Sequence, residues 1–375
     1  MVIRVALDAS PTTDGRRYAG IGRYVAELID ALRRLEGQVE LHLAAPCGTA
    51  RSDRWPYRWV RGQLPIARTV CRTRPHLVHA LASEATLCFP LDRQVVMVHD
   101  TVPWTGPSRS LGPTRAYLEL QRRLLPRVGA VIVPSQPVIA DVTRELDVPR
   151  DRIIAIPHGI SPVFSPEPRA EDVAALARVG IRWSPYLLWV GSLYGPDPRK
   201  GLDVLFDAVR SIEPASRPLV VLAGRTGEGS DWARRRAARD GIDLDLPGYV
   251  EDADLSALYR RAAVVVVPSR HEGFGLPALE AMACGAPLVV TDAGSLPSVV
   301  DDAAAVVPGD DAAALAEAVR GLLADTVLQD RLRTRGPRRA ASFSWETAAR
   351  QTAEVYEKLV SSRGYSPPVS GPISG

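Results

Sequence analysis

Lysine is nearly missing from this chain of 375 residues: only Lys200 and Lys358 occur among 46 basic residues. Such a bias fits a GC-rich genome, and it makes Lys200 conspicuous, because arginine stands almost everywhere else. Cysteine is scarce too. Cys47, Cys71, Cys88 and Cys284 lie apart, without CxxC spacing or paired histidines, so neither a disulfide framework nor a zinc site is expected. No apolar run approaches the length needed to cross a bilayer. The opening MVIRVALDAS reads directly as a strand and lacks a secretory pattern, so a cytoplasmic location is expected. A net charge of +3 and a pI near 8.7 are too mild to imply a nucleic-acid partner, although the basic excess falls mostly in the first half. What remains is ordinary: 46% hydrophobic residues and a mean hydropathy of −0.03 describe a globular chain long enough for two full cores.

The first half alternates short apolar runs with amphipathic stretches. Strands are expected at VIRVALD (2–8), VELHLAAP (39–46), HLVHAL (76–81), QVVMVHD (94–100), AVIVPS (130–135) and IIAIPHG (153–159). Helical patterns such as IGRYVAELIDALRRL fall between them, which implies βαβ units and a parallel sheet. The proline-rich PHGISPVFSPEP (157–168) breaks the rhythm and reads as an interdomain linker. The pattern then restarts at YLLWVGS (186–192), PLVVLAG (218–224), LDLPGYV (244–250), AVVVVPS (263–269), PLVVTD (287–292) and AAVVPG (304–309). The expected architecture is α/β: two doubly wound Rossmann-like domains, 1–165 and 166–343, facing across a central cleft. Ser344 suits the cap of a last helix, 344–362, packing back toward the first domain, and 363–375 reads as a loose tail.

In open α/β sheets, ligands bind beyond the carboxyl ends of the strands. RHEGFGLPALEAM (270–282) is such a place: a buried valine run precedes it, and a helix opened by Pro277 and stopped by Gly285 follows. Its glycines allow backbone N–H groups to approach a ligand, and a helix N-terminus attracts phosphate. Glu272, near the strand end, and Glu280, about one turn into the helix, would accept hydrogen bonds from hydroxyls on either side. A nucleotide sugar has that layout, although a helix start with two solvated glutamates would give the same pattern. Three further segments sit at strand ends. YAGIGRYV (18–25) reads as a glycine-containing loop entering a helix, with Gly20 and Gly22 in it, a weak signal alone. VVMVHD brings His99 and Asp100. GSLYGPDPRKG brings Arg199 and Lys200 ahead of a helix, where adjacent cations suit a diphosphate leaving group or merely a solvated basic turn.

Taken together, these segments resemble the retaining glycosyltransferases of family 4, which have the two-domain GT-B fold. The resemblance runs from GIGRYV to FSWETAARQTAEVY and is most specific in HEGFGLPALEAMACGAPLVVTDAGSLPSVV, which contains E-x7-E. GSL…RKG, LAGR, GYVEDADLSALY and the HD pair bring it nearest to the mannosyltransferase-like branch. The resemblance implies that Glu272 holds donor-sugar hydroxyls and that Phe274, Gly275 and Leu276 offer N–H groups to sugar and diphosphate. It implies that Glu280 binds the ribose, that Tyr249 and Val250 lie beside the base, and that Arg199 and Lys200 stabilise the departing diphosphate. Gly20 and Gly22 would let an N-terminal loop close over the phosphates, His99 would face the sugar, and Ser192 and Arg225 would complete the donor set. Two departures stand out: many relatives carry arginine where this chain has Ser192, and glutamate where it has Ser298. DLD at 243–245 mimics a metal-binding DxD, but it opens a strand, and no metal or other cofactor is expected.

The function implied is transfer of a hexose, GDP-mannose being the first choice of donor and a UDP-hexose the second. The acceptor would be a hydroxyl of a glycan, a lipid-linked or a small-molecule natural-product acceptor. Arginine-rich 49–76 and 104–128 suit an anionic lipid surface, so peripheral contact with the inner face of the plasma membrane through the first domain is a further expectation; an ordinary solvated surface fits equally. Two other functions share the pattern: a non-catalytic nucleotide-sugar-binding partner and a GT-B nucleotide-sugar epimerase.

Overall fold

The structure is a computed structural model describing residues 2–12, 20–35, 37–45, 57–105, 113–181, 185–195 and 197–362. Each of the twelve expected runs forms a strand. The first six are β1 (Ile3–Asp8), β2 (Val39–Ala44), β3 (Leu77–Ala80), β4 (Gln94–Met97), β5 (Ala130–Val133) and β6 (Ile153–Ala155). They make one sheet in the order β2-β1-β3-β4-β5-β6. The second six are β7 (Tyr186–Val190), β8 (Leu219–Ala223), β9 (Leu244–Gly248), β10 (Val264–Val267), β11 (Leu288–Thr291) and β12 (Ala305–Val307), ordered β12-β11-β10-β7-β8-β9. All pairings are parallel. Helices on both faces leave no wet side, which is why β5 and β10 are fully buried AVIV and VVVV. Pro247 is tolerated because β9 is an edge strand. The order reverses between β1 and β3, and again between β7 and β10, so each sheet has a crevice at its carboxyl edge there.

The first core packs Val5, Leu7, Leu77 and Ile132 against Val25, Leu28 and Leu32 of the helix Gly20–Arg33. The last helix, Trp345–Ser361, adds Trp345, Ala349 and Tyr356 to that same core. Ser344 caps it, accepting the Thr347 N–H at 3.3 Å. The Tyr356 hydroxyl meets His79 Nδ1 at 2.6 Å inside the core. A buried aromatic such as Trp345 is worth about 3–5 kcal/mol against alanine, so this return crossing is firmly anchored. The proline-rich linker is irregular without being loose. Phe164 is buried in the second core, and the Ile160 N–H donates to the Phe343 carbonyl at 3.2 Å, tying the two crossings together.

The glycines of GIGRYV differ from the loop expected. Gly20 and Gly22 form the first turn of the helix Gly20–Arg33, while Tyr18 and Ala19 lie outside the described residues, as do Cys47, residues 49–56 and 106–112, and the tail 363–375. Among the described residues, no helix is long and apolar enough to cross a membrane.

Candidate functional site

The two crevices open into one cavity of about 640 Å³. From the first sheet's side it is lined by Gly20, Gly22 and His99. The second sheet's side contributes Ser192, Arg199, Lys200, Tyr249, Val250, Glu272, Phe274, Gly275, Leu276 and Glu280. Thirteen residues singled out from sequence, separated by up to 260 positions in the chain, thus meet around one space. Arg225 is the exception: Gly224 lines the cavity, but the Arg225 guanidinium lies 4.1 Å from the Tyr194 ring centre instead.

Glu272 lies in the loop beyond β10, and its Oε1 accepts from Lys200 Nζ at 2.7 Å and from Ser269 Oγ at 2.8 Å. Among the described residues Oε2 takes no hydrogen bond, so one carboxylate oxygen is left for a ligand hydroxyl. Lys200 reaches this point because the chain turns sharply behind it. Gly201 has φ of 62°, and a Cβ there would stand 1.8 Å from the Pro268 carbonyl oxygen; only glycine permits both the turn and the approach. Arg199 is gripped by Asp197, with Nε and Nη2 donating to Oδ1 and Oδ2 at 2.9 and 2.8 Å. Its Nη1 stands 3.7 Å from Asp100 Oδ2 across the cleft.

The helix Leu276–Ala283 begins one residue earlier than expected, so Pro277 is its second residue, and Gly275 precedes it at φ 97°. Its Ala278–Ala283 stretch is buried. Glu280 is 1% exposed, which rules out a solvated surface glutamate. Burial raises its pKa, and Arg23 and the Tyr259 hydroxyl oppose that rise. Tyr259 donates to Oε2 at 2.9 Å, and Arg23 spans the cleft to bond both Glu280 Oε1 and Asp252.

The two halves touch closely at the cavity floor. A Cβ on Gly273 would lie 2.0 Å from the His99 carbonyl oxygen, and Ser135 Oγ donates to the Gly273 carbonyl at 3.0 Å. His99 Nε2 lies 3.0 Å from the Leu81 carbonyl, which can only accept, so that nitrogen carries the proton. His158, in the linker, is 4% exposed. Its ring packs with Tyr24, Phe274 and Trp345 at centroid distances of 4.6, 4.7 and 5.9 Å, and burial keeps it neutral. Sequence reasoning overlooked Arg23, Asp197, His158, Asp252 and Tyr259. Arg23 lies inside the GIGRYV motif itself, and Asp252 and Tyr259 lie inside GYVEDADLSALY. Asp243 and Asp245 do not line the cavity.

Comparison with known proteins gives two family matches. Residues 18–164 match the model described as Glycosyltransferase Family 4, and residues 184–325 match that described as Glycosyl transferases group 1. O-antigen chain mannosyltransferase B of Escherichia coli is 33% identical over 275 residues, covering 72% of this chain and 71% of that protein. The serotype-specific mannosyltransferase WbdA of Escherichia coli is 28% identical over 291 residues, and the matched region is only 35% of its length. Among solved structures, sucrose-phosphate synthase from Thermosynechococcus elongatus superposes with a TM-score of 0.77 at 22% identity, covering 96% of this chain and 100% of that one.

Proposed function

The chain belongs to the family 4 glycosyltransferases, and from that premise we propose that it moves a hexose from a nucleotide-diphosphate sugar to an acceptor hydroxyl with retention at the anomeric carbon. The observation carrying this reading is the Lys200–Glu272 pair, 2.7 Å apart, at the β7/β10 crevice beside the N-terminus of the helix Leu276–Ala283. Glu272 Oε2 holds donor-sugar hydroxyls. The N–H groups of residues 274–276 and the Arg199–Lys200 cations face the diphosphate. Glu280 takes the ribose, and Tyr249 and Val250 flank the base. GDP-mannose is the favoured donor, because O-antigen chain mannosyltransferase B is named for mannose transfer; the acceptor is a glycan hydroxyl.

In the proposed reaction, the bond from the anomeric carbon to the phosphate oxygen breaks and a bond to the acceptor oxygen forms on the same face. The acceptor proton passes to the departing phosphate, and Lys200 and Arg199 neutralise the charge left there. An inverting reaction needs a carboxylate base on the opposite face. Asp100, the cavity carboxylate beside His99, is already engaged: Oδ1 accepts the Val102 N–H at 3.0 Å and Oδ2 faces Arg199. No metal step is invoked, because the cations do that work.

Thermal-shift titration against GDP-, UDP-, ADP- and dTDP-sugars tests the reading, followed by nucleoside-diphosphate release with and without acceptor glycans. Stabilisation by one nucleotide class and acceptor-dependent release are expected. No stabilisation by any of the four would sink the proposal.

A further inference from the structure

Glu280 is almost fully enclosed, and both its oxygens are already bonded, Oε2 by Tyr259 and Oε1 by Arg23. Tyr259 belongs to the same half of the molecule, on the helix Asp252–Arg261. Arg23 does not. It projects from the first turns of the helix Gly20–Arg33, passes 5.4 Å from the centre of the Phe164 ring, and ends between Glu280 and Asp252. It also lines the cavity together with Glu280. A guanidinium therefore stands where any ligand of Glu280 must arrive.

We propose that Arg23 is a placeholder for the ribose of the donor, so that nucleotide entry is an exchange in which the diol replaces the guanidinium on Glu280. This rests on the donor reading above. The physical reason for a placeholder is the burial of Glu280. A carboxylate enclosed to this degree is strongly disfavoured without a partner, so the empty site needs a cation or a donor pair. Arg23 supplies the cation. A ribose supplies two O–H donors in its place, and Asp252 retains the displaced guanidinium, which therefore keeps a charged partner throughout. The bound sugar needs adjacent hydroxyls to complete the exchange, which makes Arg23 a specificity residue for ribonucleotides.

The magnitude follows from occupancy. A guanidinium that holds Glu280 in about nine molecules of ten raises the apparent Kd of a competing nucleotide about tenfold. Calorimetric titration of GDP and UDP into the full chain reads this directly. Arg23→Met, which keeps the stem length beside Phe164 and removes the competitor, should bind whichever nucleotide the wild type binds about tenfold more tightly. Arg23→Leu, which also removes the competing cation, should tighten binding to a similar degree and serves if Arg23→Met folds poorly. Unchanged affinity in both variants overturns the placeholder. Weaker binding overturns it as well, since it means that the guanidinium contacts the nucleotide. Failure of GDP and UDP to bind the wild type sinks the choice of GDP-mannose or a UDP-hexose as donor and the placeholder that rests on it; wild-type binding without a gain in the variants sinks the placeholder alone.

Discussion

Replacing Lys200 by alanine separates catalysis from folding more cleanly than any other change at the site. Its ammonium lies 2.7 Å from Glu272, with the two side chains 27% and 12% exposed. A partly wet ion pair of this kind contributes about 1 kcal/mol or less to folding, which for so long a chain moves Tm by no more than about 2–4 °C. Ser269 still holds Glu272 Oε1 at 2.8 Å in the variant, so the carboxylate keeps a partner. Catalysis should respond very differently. Loss of one preorganised donor to a developing negative charge lowers kcat by about 10²–10³, or roughly 2.7–4 kcal/mol. Arg199 keeps its own place on the diphosphate and does not move into the one Lys200 vacates, because Asp197 holds it through two hydrogen bonds. Steady-state release of nucleoside diphosphate, read beside a thermal melt, gives both numbers. A kcat within threefold of wild type at unchanged Tm would refute the role of Lys200; a Tm drop beyond about 10 °C would show the residue to be structural instead.

Glu272→Gln should lower kcat about a hundredfold by misplacing the sugar, while the Kd of the sugar-free nucleoside diphosphate, measured by calorimetry, stays within about threefold. Turnover should persist in excess EDTA, since Arg199 and Lys200 carry the phosphate charge; loss of activity that Mg²⁺ or Mn²⁺ restores would contradict this. A third test concerns stability. Asp172 and Arg260 form a buried bidentate pair, with Arg260 Nε donating to Asp172 Oδ2 at 2.8 Å, so Asp172→Ala should cost about 3–5 kcal/mol in denaturant melts at neutral pH. The hydrogen bonds from Arg260 hold the Asp172 carboxyl below its ordinary range. A depressed folded pKa stabilises above the unfolded value, near 3.9, and that stability disappears as pH falls through the folded value. The gap between wild type and variant should therefore narrow below about pH 4.

The strands were legible because both faces of a parallel sheet are buried, which turns AVIV and VVVV into uninterrupted apolar runs. The order of the strands was not legible, since it depends on which side each crossover returns to. The E-x7-E turn was readable as a strand end followed by a helix start, and both glutamates line the cavity. Arg23 was missed for a definite reason. A single arginine on an amphipathic helix reads as a solvated face, and its partner Glu280 is 257 residues away. Asp197 sits in a turn, where aspartate is common, so nothing in the sequence marks it as the residue that caps Pro198–Lys200 and grips Arg199. The glycines of GIGRYV were mistaken for a loop because glycine is a poor helix former; here they begin the helix whose first turn faces the cleft.

The proposed transfer retains the configuration at the anomeric carbon, with Glu272 and Glu280 around the donor and the departing phosphate accepting the proton. Proton NMR of the product formed from an α-linked donor tests it most directly, through the coupling constants and shift of the new anomeric proton. An α-linkage is the expected result. A β-linkage would rule out retention, and would point to an acidic side chain such as Asp100 acting as base on the opposite face.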